Sequence, residues 1–194
     1  VEHDLGIVED GALGVERALS NGRRVLCTLF RKGDLVDVRR TERIRQGALV
    51  ALKRSRFLRL DEAEVDSWLH SNDEIARIML GQLREQFARA RDHTADLVSK
   101  TPVEKLASLL FEFRRWPETG PVDHRNNIVR IPISRSDIAS YIGVKPETVS
   151  RVIKELVREK LIIVQEQDRI YLADLPSMRR IANGGRPRQS TRQA

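Results

Sequence analysis

The stretch ISRSDIASYIGVKPETVSRVIKELVREKLI, residues 133–162, predicts two short helices joined by a tight turn. Ile138, Ala139 and Ile142 recur at helical spacing and form the apolar face of the first helix. Gly143 follows them and ends that helix. The apolar face of the second helix consists of Val149, Val152, Ile153, Leu156 and Val157.

The residues that begin each helix support this division. Ser134 or Ser136 can cap the first helix, and Asp137 places a negative charge in its first turn. Pro146 begins the second helix at a position where no intrahelical hydrogen bond needs its missing amide hydrogen. The stretch therefore predicts a helix-turn-helix unit whose second helix starts near Lys145 and Pro146.

The first turns of the second helix carry polar side chains on the face opposite Val149 and Val152. These are Glu147, Ser150 and Arg151, which occupy the positions where a recognition helix carries base-reading groups. Arginine can bond O6 and N7 of guanine, glutamate can accept from the amino group of cytosine, and serine can contact either. Arg151 is expected to read guanine, Glu147 the opposite cytosine and Ser150 a neighbouring base. The alternative is a surface ion pair between Glu147 and Arg151 on an ordinary core helix.

Residues 134–162 resemble, without a gap, the winged helix-turn-helix of the Crp/Fnr transcription regulators, and the resemblance extends upstream over most of the chain. The run E-T-V-S-R at 147–151 is similar to the Fnr/FixK branch, because Ser150 stands where the cyclic AMP receptor protein has glycine. The resemblance implies a cytoplasmic bacterial homodimer that binds an inverted repeat of TTGAT-like half-sites in double-stranded DNA and contacts RNA polymerase. Pro146 departs from the commonest Fnr-type residue, so the outer bases of the half-site stay open, as does the choice between activator and repressor.

Phosphate contacts are expected from polar side chains around the two helices. They are Arg135, Lys145, Thr148 and Lys154.

Two other classes of function compete with DNA reading. One is a ligand-sensing or partner-binding protein whose winged helix docks on protein, which sequence-independent or absent duplex binding would favour. The other is an enzyme, but the sequence shows no nucleophile with a base, no paired carboxylates, no glycine-rich phosphate loop and no metal-ligand spacing. No catalytic residue and no metal site are predicted.

Length and composition indicate a globular protein of two modest domains. The chain has 194 residues, of which 40% are hydrophobic and 32% charged, with a net charge of +7. No run approaches the roughly 18 apolar residues of a membrane span, and no secretory leader is visible, so a cytoplasmic protein without a membrane partner is expected.

Residues 1–101 carry 18 Lys and Arg against 17 Asp and Glu, whereas residues 102–194 carry 17 against 11. A DNA-binding half has this basic excess, although a solvated basic surface would have it too.

Residues 5–38 alternate like β-strands separated by turns. Ser20, Asn21 and Gly22 predict a hairpin turn in which Asn-Gly supplies positive φ angles. By resemblance this segment is the second half of a sensory β-roll, whose opening strands are expected to be missing before Val1, and the fold class is α+β. Cys27 lies in an alternating strand and is expected to be a small buried residue, with redox sensing as the lesser alternative.

Several differences from the motifs of the family limit the effectors that this chain is expected to bind. After Gly33 and Asp34 the Gly-Glu-Leu turn of cyclic-nucleotide members is gone, and residues 45–47 replace their Arg-Ser-Ala run. Ala90 and Arg91 replace their effector-contacting Thr-Ser. One cysteine cannot hold an iron-sulfur cluster. Cyclic AMP and an iron-sulfur cluster are therefore disfavoured and no cofactor is predicted, while haem is not excluded.

Two groups of polar residues have weaker interpretations. The four histidines show no metal-ligand spacing and each is more typical of a surface or capping residue; they are His3, His70, His93 and His124. Four arginines form a basic cluster that is either an anion site or, more in keeping with its composition, a solvated loop; they are Arg39, Arg40, Arg43 and Arg45.

Two helices are predicted after a last strand at residues 57–60. Asp61 begins a short helix that is expected to pack on the roll through Val65, Trp68 and Leu69, and a long helix, capped at residues 71–74, runs to about Ser99. The long helix carries a heptad seam of Ala76, Leu80, Leu83, Phe87, Ala90, Thr94 and Leu97. A second apolar face of Ile75, Ile78 and Met79 is expected to meet the roll while the seam meets a partner chain. The alternative is one helix packed only on its own roll.

Thr101, Pro102 and Glu104 predict a hinge followed by a new helix. Trp116 is expected to pack inside this domain. Residues 128–131 are predicted to form a strand, and residues 161–164 and 169–172 a two-stranded wing. Residues 175–182 are predicted to form a last helix. The predicted domains are the β-roll at 1–70, a dimerisation helix at 71–100, the winged helix-turn-helix at 101–183 and a disordered basic tail at 184–194.

Overall fold

The computed structural model describes residues 3–39, 47–116 and 127–185 of the protein. The strands are β1 His3–Asp10, β2 Ala12–Ala18, β3 Arg24–Arg31, β4 Leu35–Arg39, β5 Ala48–Ala51, β6 Arg56–Arg59, β7 Ile128–Arg130, β8 Ile162–Glu166 and β9 Arg169–Leu172. The helices are α1 Glu62–Ser71, α2 Asp73–Ser99, α3 Pro102–Phe113, α4 Arg135–Tyr141, α5 Pro146–Arg158 and α6 Leu175–Ala182. The fold class is α+β, as predicted. His124, most of the arginine cluster and nearly all of the basic tail lie outside the described residues.

The chain forms two compact units whose border lies between Thr94 and Ala95, inside α2. The border precedes the predicted hinge because the last turn of α2 makes its contacts within the second unit. Leu97 Cδ2 lies 3.4 Å from the point that a Cβ on Gly143 would occupy. Lys100 Nζ donates to Ser108 Oγ at 2.8 Å. The hinge at Thr101 and Pro102 stays a prediction.

The first unit contains a β-roll made of two antiparallel three-stranded sheets, in the orders β4-β1-β6 and β3-β2-β5. Gly11, with φ 97°, lies between β1 and β2, where the chain passes from one sheet to the other. The hydrophobic core of the roll consists of Val8, Leu13, Phe30 and Val36, with Val15, Leu49 and Phe57 packed around them. Burial of this alternating set holds the two sheets together.

The predicted hairpin turn joins β2 to β3. The Leu19 N–H donates to the Arg23 carbonyl at 2.8 Å, and the Gly22 N–H donates to the Leu19 carbonyl at 3.0 Å. Gly22 has a φ of 79°, whereas the prediction that Asn21 also has a positive φ is wrong. Asn21 contributes its side chain instead, because its Oδ1 accepts from the Arg23 N–H at 3.1 Å.

Cys27 is exposed, which corrects the prediction that it is buried. The register of β2 and β3 pairs Val15 with Thr28 and Glu16 with Leu26, so Cys27 is the extra residue of a β-bulge. A bulge interrupts the alternation of side chains, and Leu26 and Leu29 are buried on either side of it.

The two helices after the roll, α1 and α2, bury fewer apolar side chains than the sequence predicts. In α1, capped by Asp61, Val65 is buried beside Leu5 and Leu35, whereas Trp68 and Leu69 are exposed. In α2, Met79 packs against the same group of residues. Ile78 is 60% exposed, so its predicted packing on the roll is wrong.

The second unit packs α3 against α6 and α5. A three-stranded sheet in the order β7-β9-β8 completes it, so the wing, predicted with two strands, also pairs with β7. Glu104 begins α3 by accepting from the Thr101 N–H at 2.8 Å. Trp116 is buried and makes an edge contact with Phe113 at 5.2 Å between ring centroids. In the described ranges, no helix is long and apolar enough to cross a membrane.

Candidate nucleic-acid interface

The first helix of the predicted pair, α4, begins at a capping box. Ser134, and not Ser136, is the N-cap: its Oγ accepts from the Asp137 N–H at 3.1 Å, and Asp137 Oδ2 accepts from the Ser134 N–H at 3.1 Å. Ile138 and Ala139 are buried on the inner face of α4. The cap therefore starts the helix at the residue that directs this apolar pair inward.

Gly143 makes the tight turn between α4 and α5. Its φ is 69°, the Val144 N–H donates to the Ala139 carbonyl at 2.9 Å, and the Gly143 N–H donates to the Ser140 carbonyl at 3.4 Å. This pair of bonds is a Schellman motif, whose left-handed residue is normally glycine because a side chain is strained there. The motif ends α4 and redirects the chain into α5 within a few residues.

The second helix, α5, has one buried and one exposed face. Its buried side chains are Val149, Val152, Ile153 and Leu156, as predicted. Val157 is 41% exposed and does not belong to this face, which corrects its predicted position. It lies about 100° further around the helix than Leu156, beyond the edge of the buried arc.

The predicted base-reading residues lie on or beside the exposed face. Glu147 and Arg151 are exposed, and Ser150 is half-buried next to them. Among the described residues, neither Glu147 nor Arg151 takes part in an ion pair. The interpretation of these two residues as a surface ion pair is therefore not supported, and both side chains remain available to a ligand.

The predicted phosphate-contacting residues lie on both helices of the pair. Arg135 at the start of α4, Lys145 at the N-cap of α5 and Lys154 on α5 are exposed, and Thr148 is half-buried. Arg158, which the sequence prediction did not name, is a further exposed cation one turn after Lys154. Its spacing of seven residues from Arg151 was the available signal, because i and i+7 share a helix face.

The seam predicted on α2 is a continuous exposed stripe in the single chain. Leu80, Leu83, Phe87, Ala90, Thr94 and Leu97 are exposed and Ala76 is half-buried. Phe87 is the most exposed of the large apolar residues of the seam, at 71%. A row of large apolar side chains facing solvent at heptad spacing is typical of a helix that pairs with another helix.

The histidine and acidic side chains of the described residues form no metal site. His70 is exposed, and its Nδ1 lies 2.6 Å from the Asp66 carbonyl, which agrees with its interpretation as a surface residue. In residues 3–39, 47–116 and 127–185, no cluster of three His, Cys, Asp or Glu side chains could hold a metal ion.

Comparison with known proteins identifies this arrangement. Residues 104–181 match the Crp-like helix-turn-helix domain, a range that runs from the start of α3 to α6. The nitrogen fixation regulation protein FixK of Azorhizobium caulinodans is 26% identical over 181 residues, which are 93% of this chain and 72% of FixK. The chain therefore contains a Crp-like helix-turn-helix domain and is similar over most of its length to transcription regulators of the Crp/Fnr family.

Two further proteins show the same similarity. The transcriptional activatory protein AadR of Rhodopseudomonas palustris is 28% identical over 162 residues, covering 80% of this chain and 64% of AadR. The structure of FixK2 from Bradyrhizobium japonicum has the same fold, with a TM-score of 0.76 at 22% identity over 95% of this chain and 88% of that one. Regulators of this family bind DNA and act as dimers, and the protein is a DNA-binding transcription regulator rather than an enzyme.

Proposed function

We propose that this regulator is a homodimer that reads an inverted repeat of TTGAT-like half-sites through the outer face of α5. The observation that carries the proposal is the exposed state of Glu147 and Arg151, without an ion-pair partner among residues 3–39, 47–116 and 127–185, at the start of a helix whose opposite face is buried. Arg151 reads guanine, Glu147 accepts from the opposite cytosine, and Ser150 contacts a neighbouring base.

Phosphate contacts position the helix before it reads bases. Arg135 on α4 and Lys145 and Lys154 on α5 supply positive charge, and Thr148 adds a hydroxyl. These groups neutralise phosphates and release counterions, which contributes affinity for every sequence. Pairing of two chains through the α2 seam doubles the contact and requires the two half-sites to be inverted.

The β-roll is the part of the chain that regulates DNA binding in this proposal. A signal sensed in the roll changes the balance between dimer arrangements that do and do not fit the two half-sites. The departures from the cyclic-nucleotide motifs support a signal other than cyclic AMP. Activation through RNA polymerase is the proposed output, because AadR and FnrL of Cereibacter sphaeroides are named as activators.

The decisive experiment is fluorescence-anisotropy binding, at one stated salt concentration, to an inverted repeat of TTGAT and to the same duplex with the G·C pair of each half-site swapped. A loss on the swap of about 1–3 kcal/mol for each half-site is expected. Equal binding to both duplexes would contradict base reading and favour a winged helix that docks on protein. Cyclic AMP is expected to leave both affinities unchanged.

A further inference from the structure

A buried carboxylate lies at the turn between β3 and β4, where the roll meets α2. Asp34 is only 2% exposed. Its N–H donates to the Arg31 carbonyl at 3.0 Å, and its carbonyl accepts from the Val8 N–H at 3.1 Å. Its Oδ2 accepts from the Arg31 N–H at 2.9 Å. The backbone of the turn therefore holds the Asp34 carboxylate in one position.

Arg89 of α2 binds this carboxylate. One guanidinium nitrogen, Nη2, donates to Oδ1 and to Oδ2 of Asp34, both at 2.8 Å. Within the same turn of α2, Gln86 Nε2 donates to the Leu35 carbonyl at 2.8 Å, and Glu85 forms an ion pair with Arg31. Polar contacts from three residues thus join one turn of the helix to the β3–β4 turn.

Apolar packing does little to set the rotation of α2 about its axis. No residue of α2 is fully buried, and Met79, which contacts the roll, is half-buried. The Arg89–Asp34 contact is different, because it is directional: Arg89 bonds both oxygens of the buried carboxylate at 2.8 Å, whereas its other cation, Arg31, lies 3.8 Å from Oδ1. It is therefore the contact best able to fix the orientation of the helix.

The orientation of α2 decides where the seam faces. Phe87 and Ala90 of the seam lie directly beside Gln86 and Arg89 in sequence, and each residue advances about 100° around the helix. Rotation of α2 by one such step would turn the exposed seam toward the roll. We propose that Arg89 and Asp34 are positioning residues that hold the α2 seam outward for dimerisation, and through it for binding of the inverted repeat; this rests on the proposed homodimer.

The test uses the full chain and three variants. Arg89→Met keeps most of the side-chain volume but removes the cation, Arg89→Lys keeps a single nitrogen that can bond both carboxylate oxygens, and Arg91→Met is the control. Arg91 is exposed, and its ion pair with its neighbour Asp92 is long, at 4.0 Å. The dimer dissociation constant is measured by sedimentation equilibrium, and folding by circular dichroism and thermal unfolding.

Arg89→Met is expected to raise the dimer dissociation constant by about tenfold, Arg89→Lys to restore much of the loss, and Arg91→Met to match the wild type. Binding of Arg89→Met to a single half-site is expected to be unchanged, while binding to the inverted repeat weakens. A lower unfolding temperature with unchanged dimerisation of both Arg89 variants would overturn the inference and leave the homodimer standing. If Arg89→Met does not fold, the residual rise in the dimer dissociation constant of Arg89→Lys over Arg91→Met supports the inference, and equal dissociation constants of these two variants overturn it.

Other results would contradict the proposed homodimer itself. A wild-type chain that stays monomeric, or a Phe87→Glu variant that dimerises normally, would overturn the seam itself. Loss of dimerisation in Phe87→Glu together with normal dimerisation in Arg89→Met would overturn only the positioning role.

Discussion

Two residues one turn apart on α5 have different expected roles. Arg151 and Lys154 are both exposed cations on the same helix, so charge alone does not separate them. The arginine guanidinium can form two parallel bonds to one base edge, whereas the lysine ammonium is a point charge suited to a phosphate. Position supports the same division, because Arg151 lies nearer the N-terminus of α5, where a recognition helix contacts bases.

Arg151→Ala is expected to cost about 1–3 kcal/mol of binding free energy on the TTGAT repeat and to relax preference at one base pair of each half-site. Lys154→Ala, the matched control, should weaken all duplexes alike and lower the slope of log affinity against log salt by about one per contact. Anisotropy titrations over several salt concentrations on matched and swapped duplexes measure both. A uniform loss for Arg151→Ala would assign Arg151 to a phosphate instead.

At the scale of the element, α2 presents two stripes offset by one residue. One stripe makes the contacts to the roll and includes Met79, Gln86 and Arg89. The other is the exposed seam. The sequence indicated two faces from their apolar residues, but the roll-facing side is largely polar, since Ile78 is exposed and Gln86 and Arg89 make the contacts.

Phe87→Glu on the seam is expected to raise the dimer dissociation constant by at least about tenfold, or about 1.4 kcal/mol, because the interface would have to bury a charge. Ile78→Glu is the matched control: it places the same charge on the same helix at a residue that is also exposed but lies off the seam. Sedimentation equilibrium compares the two variants. Equal effects would show that α2 pairs through another face.

At the scale of the whole molecule, the proposed function depends on two copies of α5 meeting one duplex. A rigid dimer fits half-sites whose centres are about one helical turn, roughly 34 Å, apart. The spacing between half-sites should then matter as much as their sequence.

Insertion of about five base pairs at the centre of the repeat turns one half-site by about half a helical turn. Affinity is expected to fall to that of a duplex with one half-site. The control duplex carries the same insertion outside the repeat and should bind like the original. Retained affinity after the central insertion would indicate that the two α5 helices bind independently.

The sequence by itself determined the features that depend on local patterns. Ser134, Gly143 and Pro146 set the limits of α4 and α5, and the spacing of Val149, Val152 and Leu156 placed Glu147 and Arg151 on the outer face. Capping, glycine conformation and helical periodicity act over a few residues, so they can be read without knowing what lies nearby.

Tertiary structure decided the features that depend on residues distant in sequence. The bulge that exposes Cys27 follows from the register of β2 and β3, and the border of the two units at Thr94 follows from contacts of the last turn of α2. Asp34 and Arg89 are 55 residues apart and carry no shared motif. Only the fold brings that carboxylate and that cation to 2.8 Å, because pairing of buried charges is set by packing and not by sequence spacing.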